Sequence, residues 1–177
     1  LTESQLIAGC RDNDAACQKL LFDQYHPKLL GLCMRYVRDR DAAQDVLQEG
    51  FIKVFKNIDS FEDKGSFEGW MKRIMVNTAL EFIRREAKRG HQVDFENESL
   101  MISMPENAIH ELSAKDIHAF IDALPNGYRI IFNLFAIEGY SHQEIADQLN
   151  ISVNTSYSQY HRARNLLQKM LLKDKSR

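Results

Sequence analysis

Two groups of side chains in this 177-residue sequence have types and spacing suited to binding chemistry. The first is Asn154, Thr155, Tyr157, Ser158, Arg162 and Arg164, which fall within about three helical turns of one another. Hydroxyls and an amide can bond phosphates or base edges, and the two arginines can neutralise phosphates. The second is Arg73, Asn77, Arg84 and Lys88, which share one stripe at about 100° per residue and follow Phe61 on a polar segment. There the aromatic could stack on an unpaired base, the cations could hold a backbone and Asn77 could read a base edge. The alternative is that Phe61 packs into the core and the basic stripe is a solvated face.

Other chemistry is not expected. No catalytic constellation or phosphate loop is present, so an enzyme is not indicated. Cys10, Cys17 and Cys33 are odd in number without C-x-x-C spacing, which suits reduced, mostly buried thiols. The six histidines are scattered, with His110 and His118 two turns apart; they read as solvated, and neither metal nor cofactor is expected. No apolar run approaches the roughly 20 residues of a membrane span and no signal peptide opens the chain, so the expectation is a cytoplasmic protein without membrane insertion. The net charge of −2 looks wrong for a nucleic-acid binder until it is divided. Residues 71–92 hold six Lys/Arg against two Asp/Glu (+4), residues 93–124 one against seven (−6), and residues 125–177 seven against four (+3). Two basic segments flank an acidic one.

Helices must position these groups almost throughout, as eight Gly and three Pro suggest. Leu20, Leu21, Tyr25, Leu29, Leu32, Cys33, Tyr36 and Val37 recur at helical spacing. A helix over about 41–55 turns Ala43, Leu47, Gly50, Phe51 and Val54 inward. It leaves Asp41, Asp45, Gln48, Glu49, Ile52 and Lys56 on the opposite stripe, which alone reads as a solvated face. Residues 57–66 form a turn-rich loop around Phe61. A helix from Phe67 to about Lys88 buries Phe67, Trp70, Met71, Ile74, Thr78 and Phe82. Residues 90–104 have no clean period and read as a linker, after which Pro105 can open a helix carrying Ile109, Leu112, Ile117, Phe120, Ile121 and Leu124. Another helix spans about 128–137.

The C-terminal part carries the sharpest local signal. Ser141-His-Gln-Glu144 is a capping box, and the helix that it opens turns Ile145, Ala146 and Leu149 inward. Small Ala146 leaves room for a crossing helix, Asn150 tolerates the left-handed conformation of a sharp turn, and Ile151 plugs the corner. Ser152 can cap a second helix running from Val153 to about Leu172, whose first turns present Asn154, Thr155, Tyr157, Ser158 and Arg162. That is a helix-turn-helix, which places such residues in the major groove of a duplex. The predicted fold is all-α, with two small helical domains over 1–92 and 106–177 joined by an acidic linker over 93–105; the C-terminal domain holds the helix-turn-helix.

At this point the sequence resembles a family. Asp45-Val-Leu-Gln-Glu-Gly-Phe-Ile-Lys-Val-Phe55, Phe61-Glu-Asp-Lys-Gly-Ser-Phe-Glu-Gly-Trp70 and Arg73-Ile-Met-Val-Asn-Thr-Ala-Leu80 are similar to the core signature of bacterial sigma factors of the extracytoplasmic-function (ECF) group. Leu124-Pro-Asn-Gly-Tyr-Arg129, Glu138-Gly-Tyr-Ser-His-Gln-Glu-Ile-Ala146 and Arg162-Ala-Arg164 resemble that group's second domain. The resemblance implies a subunit of RNA polymerase holoenzyme that binds core polymerase and directs initiation at particular promoters. It implies that Asp45, Gln48, Glu49 and Ile52 meet the clamp helices of the polymerase's largest subunit. It assigns to residues 57–66, with Phe61 and Asn77, the capture of a flipped base of the melted −10 element, and to the helix-turn-helix the reading of the −35 element as duplex. The linker would pass through the RNA path of the polymerase, where its charge could mimic RNA, or serve as an acidic tether. An anti-sigma factor is a further expected partner. Two positions depart from the pattern: Tyr157 stands where Lys or Arg is usual, and Asn150 where Gly is common. Two rival readings are a stand-alone helix-turn-helix regulator, which leaves Phe61 and the basic stripe without a purpose, and a helical adaptor, which predicts no salt-dependent DNA binding.

Overall fold

The computed structural model describes residues 1–62, 64–90 and 117–175. The chain divides into two compact units, Leu1–Glu86 and Ala87–Arg177. Every regular element among the described residues is helical.

In the first unit, Thr2 and Gln5 form a capping box that opens α1 (Glu3–Arg11). Asn13 adopts φ 58°, and Asp14 then caps α2 (Ala15–Tyr36) by accepting from the Ala16 amide at 2.9 Å. The two helices approach closely because residue 9 is glycine: a Cβ there would lie 2.3 Å from Cys17 Sγ. Asp39 accepts from the Ala42 amide at 2.8 Å and opens α3 (Arg40–Lys56). A short 3-10 turn at Ile58–Ser60 leads towards α4 (Phe67–Lys88). Leu21, Leu29, Cys33, Ala43, Leu47, Val54, Met71, Met75 and Leu80 form the fully buried centre. All three cysteines are free and buried, and burial pushes the Cys33 thiol up to about 12, so thiolate chemistry at neutral pH is suppressed.

Two expectations are corrected here. Leu20 is 48% exposed, since the inward stripe of α2 runs through Cys17, Leu21, Tyr25, Leu29 and Leu32, one residue off Leu20. On α4 the buried face carries Met75, Val76, Ala79, Leu80 and Ile83, while Trp70, Ile74 and Phe82 are only half-buried. Met75 fills the space left by Gly50, where a Cβ would meet its Sδ at 2.2 Å, and this contact with α3 accompanies the inward turn of residue 75 instead of 74.

In the second unit, α5 (Ile117–Asp122) precedes α6 (Asn126–Phe132), with Pro125 between them. A π-type turn at Asn133–Ile137 extends α6, and α7 (His142–Leu149) and α8 (Val153–Lys175) complete the unit. Phe120, Ile121, Leu124, Ala163, Leu167 and Met170 form one buried cluster. The linker over 93–105 and the expected helix through Ile109 and Leu112 lie outside the described residues.

Candidate nucleic-acid interface

The C-terminal unit builds its exposed face from three local devices. Ser141 Oγ accepts from the Glu144 amide at 3.2 Å, while the Glu144 carboxylate accepts from the Ser141 amide at 2.8 Å, which fixes the start of α7. Asn150 takes φ 55° and ψ 48°, the left-handed conformation that reverses the chain after α7. Ser152 Oγ accepts from the Thr155 amide at 2.9 Å and starts α8. Ile145, Ala146 and Leu149 of α7 and Ser156, Gln159 and Ala163 of α8 are buried. The opposite side of α8 is thereby turned outward.

Of the residues expected there, Asn154, Tyr157, Ser158 and Arg164 are exposed, and Thr155 and Arg162 are partly so. Two of the hydroxyls already have local partners: Thr155 Oγ1 shares a hydrogen bond with Ser152 Oγ at 2.8 Å, and Ser158 Oγ donates to the Thr155 carbonyl at 3.0 Å. Both retain lone pairs to accept another bond. The Arg164 guanidinium lies 6.0 Å from the centre of the Tyr160 ring.

His142 overturns the reading of the histidines as solvated. It is buried, its Nδ1 lies 2.8 Å from Ser156 Oγ, and its ring packs against Phe135, Tyr157 and Tyr160. Burial holds its pKa below the usual histidine value.

In the N-terminal unit, Arg73 and Lys88 are exposed along α4, and Asn77 and Arg84 are half-buried between them. The other cations of the helix are drawn elsewhere. Lys72 pairs with Glu68 at 2.6 Å, and Lys28 of α2 reaches the same carboxylate at 2.6 Å, the two together holding Glu68 below the ordinary carboxyl range. Arg85 lies 3.5 Å from Glu49 of α3. Among the described residues, Arg84 and Lys88 form no ion pair, which leaves their charge available to a backbone.

Phe61 is the correction at this face. It is 6% exposed, edge-on to Phe67 at 5.1 Å and tilted against Trp70 at 5.7 Å. Arg11 Nη2 donates to its carbonyl at 2.6 Å. Of the two roles open to it in the sequence, the structure adopts core packing, because a large ring gains more from the neighbouring Phe67 and Trp70 rings than from water. With buried Ile58, which the sequence reading passed over, it anchors the loop from beneath. Glu62, Lys64, Gly65 and Ser66 remain exposed above it.

On α3, Asp45, Gln48 and Ile52 are exposed, Ile52 at 53%, and Glu49 is half-buried within 3.2 Å of Lys53. Lys53 also reaches Glu81 of α4 at 2.5 Å.

The chain has relatives along nearly its whole length. Residues 21–89 match the family model for Sigma-70 region 2, and residues 114–167 that for Sigma-70, region 4. It is 33% identical to the RNA polymerase sigma-H factor of Pseudomonas aeruginosa, covering 96% of this chain and 93% of that protein. The chain is an ECF sigma factor. It is also 32% identical to the ECF RNA polymerase sigma-E factor of Escherichia coli strain K12, over 94% of this chain and 93% of that one. Among solved structures, the sigma factor RpoE in complex with the anti-sigma factor NepR from Bartonella quintana is 26% identical, covering 88% of this chain and 97% of that chain with a TM-score of 0.49.

As a sigma factor the protein acts in transcription initiation. Its region 2 match begins within α2 and ends one residue after α4, so it takes in the outward stripe of α3, the loop and the basic helix. Its region 4 match contains α5 to α7 and most of α8, with the DNA-binding helix-turn-helix. No described helix is long and apolar enough to cross a membrane.

Proposed function

We propose that this sigma factor binds core RNA polymerase in the cytoplasm and directs initiation at promoters that it reads in two places. The helix-turn-helix reads the −35 element as duplex through Asn154, Thr155, Tyr157, Ser158, Arg162 and Arg164. The melted −10 element lies over the basic stripe of Arg73, Asn77, Arg84 and Lys88 beside the 57–66 loop. Phe61 shapes that loop from below instead of stacking on the base. The stripe of Asp45, Gln48, Glu49 and Ile52 meets the clamp helices of the largest polymerase subunit, and an anti-sigma factor is a second protein partner.

The observation that carries this reading is the pairing, in one chain, of an outward cationic stripe on α4 with an outward polar first turn on α8. A regulator that reads a single duplex site needs only the second. The deciding experiment adds the full chain to core polymerase and maps transcripts on genomic DNA. Initiation at discrete positions is expected; failure to bind the core would refute the proposal. Copurification that recovers polymerase subunits alone would count against the anti-sigma partner.

A further inference from the structure

Tyr157 is held in a way that phosphate neutralisation does not require. The residue is 57% exposed on the first turns of α8, yet its ring centre lies 3.9 Å from that of the His142 imidazole. His142 is fixed in turn: Ser156 Oγ lies 2.8 Å from Nδ1, and Phe135 stacks on the imidazole at 4.2 Å and 16°. Phe135 is itself tilted against Tyr160 at 4.6 Å. Tyr157 is thus the most exposed ring of this aromatic group, beside the half-buried Phe135 and Tyr160, and it rests on the buried, hydrogen-bonded His142.

A ring supported from behind loses little freedom when a ligand covers its other side. What it offers outward is apolar carbon and one hydroxyl, without charge. In the major groove the apolar group on a base edge is the 5-methyl of thymine. We propose that Tyr157 is a specificity-determining residue that contacts the 5-methyl group of a thymine in the duplex element, and that His142 is its positioning residue. This rests on the reading of the helix-turn-helix as a duplex reader.

The test uses holoenzyme assembled from the full chain. An upstream duplex is first selected from a randomised pool, and each thymine is then replaced by deoxyuridine, which removes the methyl and keeps the base pair. Wild type is expected to lose about fourfold in affinity at one thymine, the worth of one buried methyl. Tyr157→Ala is expected to bind the thymine and uracil duplexes alike at that position. His142→Phe retains a ring under Tyr157 and keeps the discrimination; His142→Gln retains a partner for Ser156 without a ring and loses it. A full penalty in Tyr157→Ala, or no penalty at any thymine in wild type, overturns the proposal. Equal behaviour of the two His142 variants overturns the positioning role. If no upstream duplex is selected at all, the duplex reading itself falls, a different result from selection without discrimination.

Discussion

Tyr157 presents no charge on the outward side of α8, where the resemblance to the ECF group leads one to expect Lys or Arg. Each cation set against a phosphate adds roughly 0.9 to the slope of log affinity against log salt. Tyr157→Lys is therefore expected to steepen that slope for upstream duplex by about one, read by fluorescence titration; an unchanged slope would show that residue 157 does not face the backbone even when charged. His142 carries a pH dependence of its own. Its folded pKa lies below the ordinary 6.5, so between those values the unfolded chain takes up a proton that the folded chain refuses. Stability of the C-terminal unit is then complete above about pH 6.5 and falls as the pH drops through that value. The groups packed on His142 are Ser156, Phe135, Tyr157 and Tyr160. Circular-dichroism melts across this range should show the loss in wild type and a smaller one in His142→Phe. The position was misread from sequence because histidine counts as polar, although residues 142, 145, 146 and 149 fall on one helical stripe whose other members are Ile, Ala and Leu. Phe61 was ambiguous for the opposite reason: its chain neighbours are polar, and the rings that bury it come from residues six and nine positions on.

At the scale of elements, the helix-turn-helix was the most legible part of the chain, since its boundaries are set locally. A capping box, a left-handed Asn150 and a Ser152 cap each need only a few consecutive residues, and all three form as expected. The π-type turn at Asn133–Ile137 has no such signal, because a shift of hydrogen-bond register is decided by what the helix packs against. α1 was missed for its brevity, although Thr2 and Gln5 spell its capping box. Its contact with α2 gives a sharp test. In Gly9→Ala the new Cβ would lie 2.3 Å from Cys17 Sγ and 2.8 Å from Cys17 Cβ, and the latter atom cannot swing aside. Overpacking costs about 1–3 kcal/mol, and the gain in helix propensity returns at most about 1. The N-terminal unit should lose about 1–2 kcal/mol. Trp70, the one tryptophan in the sequence, lies in that unit and reports it by a lowered urea midpoint.

For the whole molecule, two compact units imply tasks that can be damaged separately. Ile52→Asp places a charge on the most apolar point of the α3 stripe, 53% exposed and away from the core. It is expected to lower affinity for core polymerase at least tenfold and to leave binding of upstream duplex by the free chain unchanged. Loss of both would mean that the substitution had unfolded the protein. The two-unit division was legible from the alternation of basic, acidic and basic segments, whereas the ionic ties between helices of the first unit, Lys28–Glu68, Lys53–Glu81 and Arg85–Glu49, were not, as they join residues far apart in sequence. One of these ties has a consequence for assembly. Glu49 belongs to the proposed polymerase stripe, yet it lies 3.2 Å from Lys53 and 3.5 Å from Arg85 of the basic helix. A polymerase cation attracted to Glu49 competes with Arg85 for it, and a released Arg85 can turn to phosphate. Linkage of this kind is reciprocal: the factor by which docking tightens the hold on DNA is the factor by which DNA tightens docking. An exposed pair is worth about 1 kcal/mol at most, so that factor stays near fivefold or below, a bias towards joint engagement and not a switch.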